Sequence, residues 1–128
     1  MAVRVLVVED EESIRAVVAE ALVDEGYEVA QAAHGAEGLA LLAGGWQPDL
    51  ILLDLLMPVM DGWAFADAYR QLPPPHAPLV LFTASSLAPE GTSVGQLLPP
   101  AAATLAKPFT LDELLAVVQV IGGAPRLV

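Results

Sequence analysis

Asp54 stands at the end of an apolar run, Leu50-Ile51-Leu52-Leu53, and Leu55-Leu56-Met57-Pro58 follows at once. An ionised carboxylate in such a place needs a partner, because burying it alone is costly. Other runs end on reactive side chains too. Glu9 and Asp10 follow Val5-Leu6-Val7-Val8, Thr83 follows Leu79-Val80-Leu81-Phe82, and Lys107 follows the stretch from Ala102 to Ala106. Lys107 is the only lysine in the chain. Carboxylates crowded together must protonate or recruit a cation. Oxygen ligands with no His or Cys beside them favour Mg²⁺. Mg²⁺ neutralises charge on a transferring phosphoryl group. A carboxylate is a competent phosphoryl nucleophile, an ammonium offers a point charge to phosphate oxygens, and Thr83 adds a hydroxyl. The set reads as a metal-assisted phosphoryl acceptor centred on Asp54.

The elements that must position these residues alternate in type. Val3–Val8, Glu28–Ala32, Leu50–Asp54, Leu79–Thr83 and Ala102–Ala106 read as strands. Ser13–Glu25 reads as a helix, with Ile14, Val17, Val18, Ala21 and Leu22 inward and Gly26 as its stop. Gly35–Ala43 reads as a short helix with Leu39 and Leu42 inward, stopped by Gly44-Gly45. Trp63–Leu72 reads as a helix closed by Pro73-Pro74-Pro75. Leu111–Ile121 is the last helix, with Leu111, Leu114, Leu115, Val118 and Ile121 inward. Thr110 is its expected N-cap, and Glu113 completes a capping box. Between Thr83 and Ala101, Pro89, Gly91, Gly95, Pro99 and Pro100 weaken the pattern, so the fourth helix is expected to be short or distorted.

Strands that are apolar throughout, each followed by a helix, indicate a parallel sheet covered on both faces: an α/β, (βα)5 doubly wound fold. In such sheets ligands bind beyond the carboxyl ends of the strands. Glu9, Asp10, Asp54, Thr83 and Lys107 all stand there. Residues 1–121 are expected to form one domain and 122–128 a flexible tail.

Composition narrows the function. The chain has 128 residues, 55% of them hydrophobic, with mean hydropathy +0.60, which fits a packed globule. There is no cysteine, no signal-peptide pattern and no run long enough to span a membrane, so a cytoplasmic location without membrane insertion is expected. Net charge is −11, and the five basic residues, Arg4, Arg15, Arg70, Lys107 and Arg126, are scattered singly. Gripping nucleic acid takes clustered cations, so direct nucleic-acid binding is not expected.

Four segments together resemble the receiver domain of bacterial two-component response regulators. They are Val7-Val8-Glu9-Asp10-Glu11, Leu52 through Gly62 (LLDLLMPVMDG), Thr83-Ala84 and Lys107-Pro108-Phe109. The resemblance spans essentially the whole chain. It implies a flavodoxin-like sheet of strand order 2-1-3-4-5. It implies that Asp54 accepts a phosphoryl group from a sensor histidine kinase or phosphotransfer protein. Asp10 and Asp54 would bind Mg²⁺ directly, Glu9 through water, and the backbone carbonyl of Leu56 would be a further ligand. Lys107 and Thr83 would hold the phosphoryl oxygens, and the Lys107-Pro108 peptide would be cis. Such a domain is no independent enzyme; it catalyses only its own Mg²⁺-dependent phosphotransfer and dephosphorylation. It would signal through a downstream protein partner and leaves room for a homodimer; with no basic helix-turn-helix or second folded segment after Ile121, it is expected to stand alone without an output domain.

The sequence departs from the family pattern at identifiable places. Thr104 stands where the family usually has the switch aromatic. Leu56, two residues after Asp54, cannot position an attacking water, which points to a long-lived phosphoryl state; Ser85 is the matching position after Thr83. Leu56 also speaks against an aspartyl-phosphate phosphatase, which needs a second acid there. The acidic first loop speaks against flavin binding. The remaining alternative is a phosphorylation-independent interaction module that keeps the fold, favoured by Thr104 and the broken fourth helix. The other conspicuous residues have simpler readings. His34 and His76 are expected to be exposed and idle, Trp46 and Trp63 to pack, Met57 and Met60 to fill space, and Asp61 to cap a turn.

Overall fold

The structure is a computed structural model that describes residues 3–54, 62–83, 101–106 and 109–123; residues 62, 63, 82, 83, 101–104 and 106 are described by their backbone alone. Five strands, β1 (Arg4–Val8), β2 (Glu28–Ala32), β3 (Leu50–Asp54), β4 (Leu79–Thr83) and β5 (Ala101–Ala106), form one sheet of order β2-β1-β3-β4-β5. Every pairing is parallel. The described helices are α1 (Glu12–Asp24), α2 (Gly35–Ala43), α3 (Gly62–Arg70) and α4 (Leu111–Gly122). The helix expected between Thr83 and Ala101 lies outside the described residues, as do the Lys107-Pro108 peptide, Met57, Met60, Asp61 and residues 124–128.

Successive strand residues face opposite sides, and the core divides accordingly. Val5, Val7, Leu50, Leu52 and Val80 meet α1 and α4 through Val18, Leu22, Leu114 and Val118. Leu6, Val8, Ile51, Leu53 and Leu81 meet α2 and α3 through Leu39, Leu42, Phe65, Ala66 and Tyr69. β3 is buried along its whole length because it sits in mid-sheet with helices on both sides. That is why its sequence does not alternate.

Local chemistry sets the helix ends. Gly26 has φ +101° and Gly45 φ +100°, left-handed positions that glycine adopts without strain. Around them the amides of Gly26 and Tyr27 reach the carbonyls of Val23 and Leu22, each at 3.0 Å. Those of Gly45 and Trp46 reach Leu42 and Leu41 at 3.1 and 3.2 Å. Both helices thus close in a Schellman motif. Thr110 and Glu113 form the expected capping box at the start of α4.

Several expectations need correction. Val17 is 52% exposed, because the buried stripe of α1 is centred on Val18 and Leu22 and takes in Ala19 instead. Leu111 is 43% exposed, in the first turn of α4. The third helix ends at Arg70, two residues early; Leu72 precedes Pro73, which disfavours helical geometry there. The amides of Gln71 and Leu72 close the last turn on Ala68 and Tyr69. His34 is half-buried and caps α2, its Nδ1 accepting from the Glu37 amide at 3.2 Å. His76 is exposed but engaged: its ring lies edge-on to Tyr69 and Nε2 bonds the Leu72 carbonyl at 2.8 Å. Trp46 packs as expected, against the α2 and α3 side of the core, with the Arg4 guanidinium 5.6 Å above its ring. The side chain of Trp63 lies outside the described residues.

Candidate functional site

The strand order makes neighbours of residues far apart in sequence. β1 and β3 are adjacent, with Val8 opposite Leu53. The next residues, Glu9 and Asp54, therefore leave the sheet side by side at its carboxyl edge. The Glu9 amide still donates to Ala32 of the neighbouring strand at 3.1 Å, so β1 effectively continues one residue further. Arg15, one turn into α1, donates from its guanidinium to the Glu9 carbonyl at 2.8 Å. That bond ties the acidic turn to the helix that follows it. Sequence reasoning counted Arg15 only as a scattered cation. Its place one helical turn after an acidic cluster was the available signal.

Glu9 is 1% and Asp54 4% exposed, while Asp10 stands at the surface. Oxygens of all three carboxylates lie within 4.8 Å of one another. Glu9 and Asp54 each have partners within the protein. Three hard oxygen donors in this space, one of them open to solvent, fit a cation such as Mg²⁺ that keeps part of its water. The ends of β3 and β4 also agree in register. Asp54 is opposite Phe82, so Thr83 comes one rung beyond Asp54 on the adjoining strand, and Thr83 is opposite Ala106 of β5. The backbone thus brings the strand ends carrying Asp54, Thr83 and the residue before Lys107 to one edge. The side chain of Thr83, and all of Leu56, Ser85 and Lys107, lie outside the described residues. Thr104 pairs with Leu81 in mid-strand; its side chain lies outside them too.

Residues 5–119 match the response regulator receiver domain. The chain belongs to that family. Among curated relatives of the receiver, response regulator MprA of Mycobacterium sp. (strain KMS) is 37% identical over 116 residues, which cover 91% of this chain and 49% of the relative. The transcriptional regulatory protein PcoR of Escherichia coli is 35% identical over 121 residues, covering 92% and 50%. The receiver thus spans about half the length of the curated relatives it matches. Among solved structures, chemotaxis response regulator CheY4 of Vibrio cholerae superposes with a TM-score of 0.80 at 36% identity, covering 94% of this chain and 99% of that one. TrrA of Thermotoga maritima, in complex with Mg²⁺-BeF, gives 0.75 at 33% identity, covering 93% and 98%. This chain is thus a response-regulator receiver of the two-component class, a signalling domain with a flavodoxin-like fold. Among the described residues, no helix is long and apolar enough to cross a membrane.

Proposed function

We propose that this receiver accepts a phosphoryl group on Asp54 from the phosphohistidine of a sensor kinase or phosphotransfer protein. One observation carries the reading: Asp54, nearly buried at a strand end, shares a space within 4.8 Å with the oxygens of Glu9 and Asp10. A carboxylate oxygen of Asp54 attacks phosphorus, the P–N bond breaks, and the imidazole leaves with its electron pair and takes up a proton. The product is an acyl phosphate. Asp10 and Asp54 would hold Mg²⁺ directly, Glu9 through water, and the Leu56 carbonyl would add a ligand. When bound, Mg²⁺ neutralises charge on the phosphoryl oxygens. Lys107 and Thr83 take the remaining oxygens. That TrrA was solved with Mg²⁺-BeF supports the same chemistry here.

The adduct adds a charge of roughly −1.5 to −2 at the sheet edge, enough to change what surfaces nearby bind. The receiver works in the cytoplasm as one domain; its last helix runs to Gly122 and the Tyr27 hydroxyl donates to the Gly123 carbonyl at 2.9 Å, so the ordered part passes the boundary expected at residue 121. It passes its signal to a protein. Its cations do not cluster as nucleic-acid binding requires; any DNA contact belongs to another module. Leu56 makes the acyl phosphate long-lived, and decay within seconds refutes that part.

Intact mass after incubation with acetyl phosphate, with and without Mg²⁺, tests the reading. The expected result is one phosphoryl adduct that needs Mg²⁺ and is absent from Asp54→Asn. A folded protein that takes no adduct overturns the proposal and leaves a phosphorylation-independent binding module.

A further inference from the structure

At the opposite edge of the sheet, below the amino ends of β1, β3 and β4, lies a cleft of about 710 Å³. That volume falls within the range of small-molecule sites, roughly 300–1,000 Å³. Its lining mixes apolar and polar groups and includes the rings of Trp46, Tyr69 and His76 and Pro74 from the triple-proline turn. Tyr69 is held in place, its hydroxyl accepting from the Ala77 amide at 2.7 Å and its ring meeting His76 edge-on.

The polar groups on the walls decide what the cleft can take. Arg4 also lines the cleft; its Nε pairs with Glu28, which offsets its charge, and its guanidinium lies over the Trp46 ring. Asp49 accepts the Arg4 amide on Oδ2 at 2.8 Å, and among the described residues Oδ1 has no hydrogen-bond partner. Nε2 of His76 meets a carbonyl, Leu72 O, so that nitrogen carries the proton. In the neutral ring Nδ1 is then an acceptor. The cleft thus combines aromatic and proline faces with acceptors and a carboxylate, in a chain of net charge −11. Its unused acceptors call for a donor, its rings for a flat body, and the Asp49 carboxylate, with Arg4 offset by Glu28, for a cation.

We infer that this cleft binds a small planar cation, an amidinium or guanidinium carried on a compact apolar body. The site is separate from the phosphoacceptor edge and independent of its chemistry. β3 joins the two, running from Leu50 beside Asp49 to Asp54.

Benzamidine is the probe, and benzoate, of the same shape and opposite charge, the control. Both are titrated to ~10 mM, the range of weak fragment affinities, into ¹⁵N-labelled protein with Mg²⁺ present to compete at the acidic cluster. The expected result is saturable shifts of amides in residues 43–49 and 69–77 with benzamidine and none with benzoate. Asp49→Asn keeps an oxygen for the Arg4 amide and removes the charge; it should weaken benzamidine by about tenfold, the scale of a lost charge-assisted hydrogen bond. His76→Phe keeps the ring against Tyr69 and should weaken it by a smaller factor. The inference is overturned if no shift saturates, if benzoate binds equally, if the shifts fall around Glu9, Asp10 and Asp54, or if folded Asp49→Asn binds as wild type does.

Discussion

Replacing Asp54 by Asn should stabilise the metal-free protein, although Asp54 is among its most buried polar residues. Asn keeps the shape and an acceptor oxygen but removes one of three negative charges. At a separation of 4.8 Å, the outer limit for these oxygens, and an effective dielectric of about 20, two unit charges repel by about 3.5 kcal/mol. Only the Glu9–Asp54 pair enters this figure, since Asp10 is at the surface, where water and salt screen it. The partners that both buried carboxylates already have offset part of the repulsion. A net gain of about 1–2 kcal/mol is therefore expected, or roughly 3–8 °C in Tm. Magnesium should reverse the order. A cation at 100 times its Kd adds about 2.7 kcal/mol to the protein that binds it, and the variant, short of one ligand, gains less. Thermal and urea unfolding in EDTA and in Mg²⁺, at low salt, measures both effects. The reasoning fails if the variant is less stable than wild type in EDTA, or if Mg²⁺ raises the two equally.

Thr110→Ala removes the hydroxyl that caps α4 and should cost about 1 kcal/mol in urea unfolding. Gly38→Leu should cost about 1–3 kcal/mol, because even a Cβ there would lie 3.1 Å from Phe65 and 3.3 Å from Val8; unchanged stability would mean that α2 can shift away from α3. Alkali should destabilise the fold through two tyrosines. Burial raises the pKa of Tyr27, with Glu25 adding to the rise, and burial raises that of Tyr69 against the opposing hydrogen bond from Ala77. A raised value in the folded state means that stability is intact below pH 10, the ordinary tyrosine value, and is lost as pH climbs past it toward the folded values. Denaturation profiles from pH 8 upward should show this fall, and the fall should shrink in Tyr27→Phe and Tyr69→Phe.

The middle of the sheet was legible in the sequence because burial on both faces leaves a plain mark: β1, β3 and β4 do not alternate, and each ends on or just before a polar residue. The order of strands was not in that pattern; it came with the family resemblance. The acidic site was legible for a related reason, since carboxylates at the ends of apolar runs have few other uses. What escaped was orientation around helix axes. Val17 and Val18 are equally apolar, and only packing against the sheet buries one and leaves the other outside. The roles of His34 and His76 escaped as well. A ring nitrogen that caps a helix or meets a carbonyl depends on backbone placed by other elements, and no spacing rule announces it. Arg15 belongs with them, its contact being a backbone carbonyl six residues away.

The pairing of β4 with β5 is not uniform. Leu79 is opposite Ala101 and Val80 opposite Ala103, so Ala102 is a bulged residue with no rung of its own. A bulge of this kind is slack in the residue count. Removing Ala102 would turn the start of β5 into a regular ladder and leave Thr83 still facing Ala106. β3 has no such slack. Ile51, Leu52 and Leu53 are in register with both neighbours, Leu50 with β1 and Asp54 with β4, and losing one would turn each later side chain to the other face. Length changes in this chain are therefore absorbable at the entrance to its edge strand and forbidden in its central one.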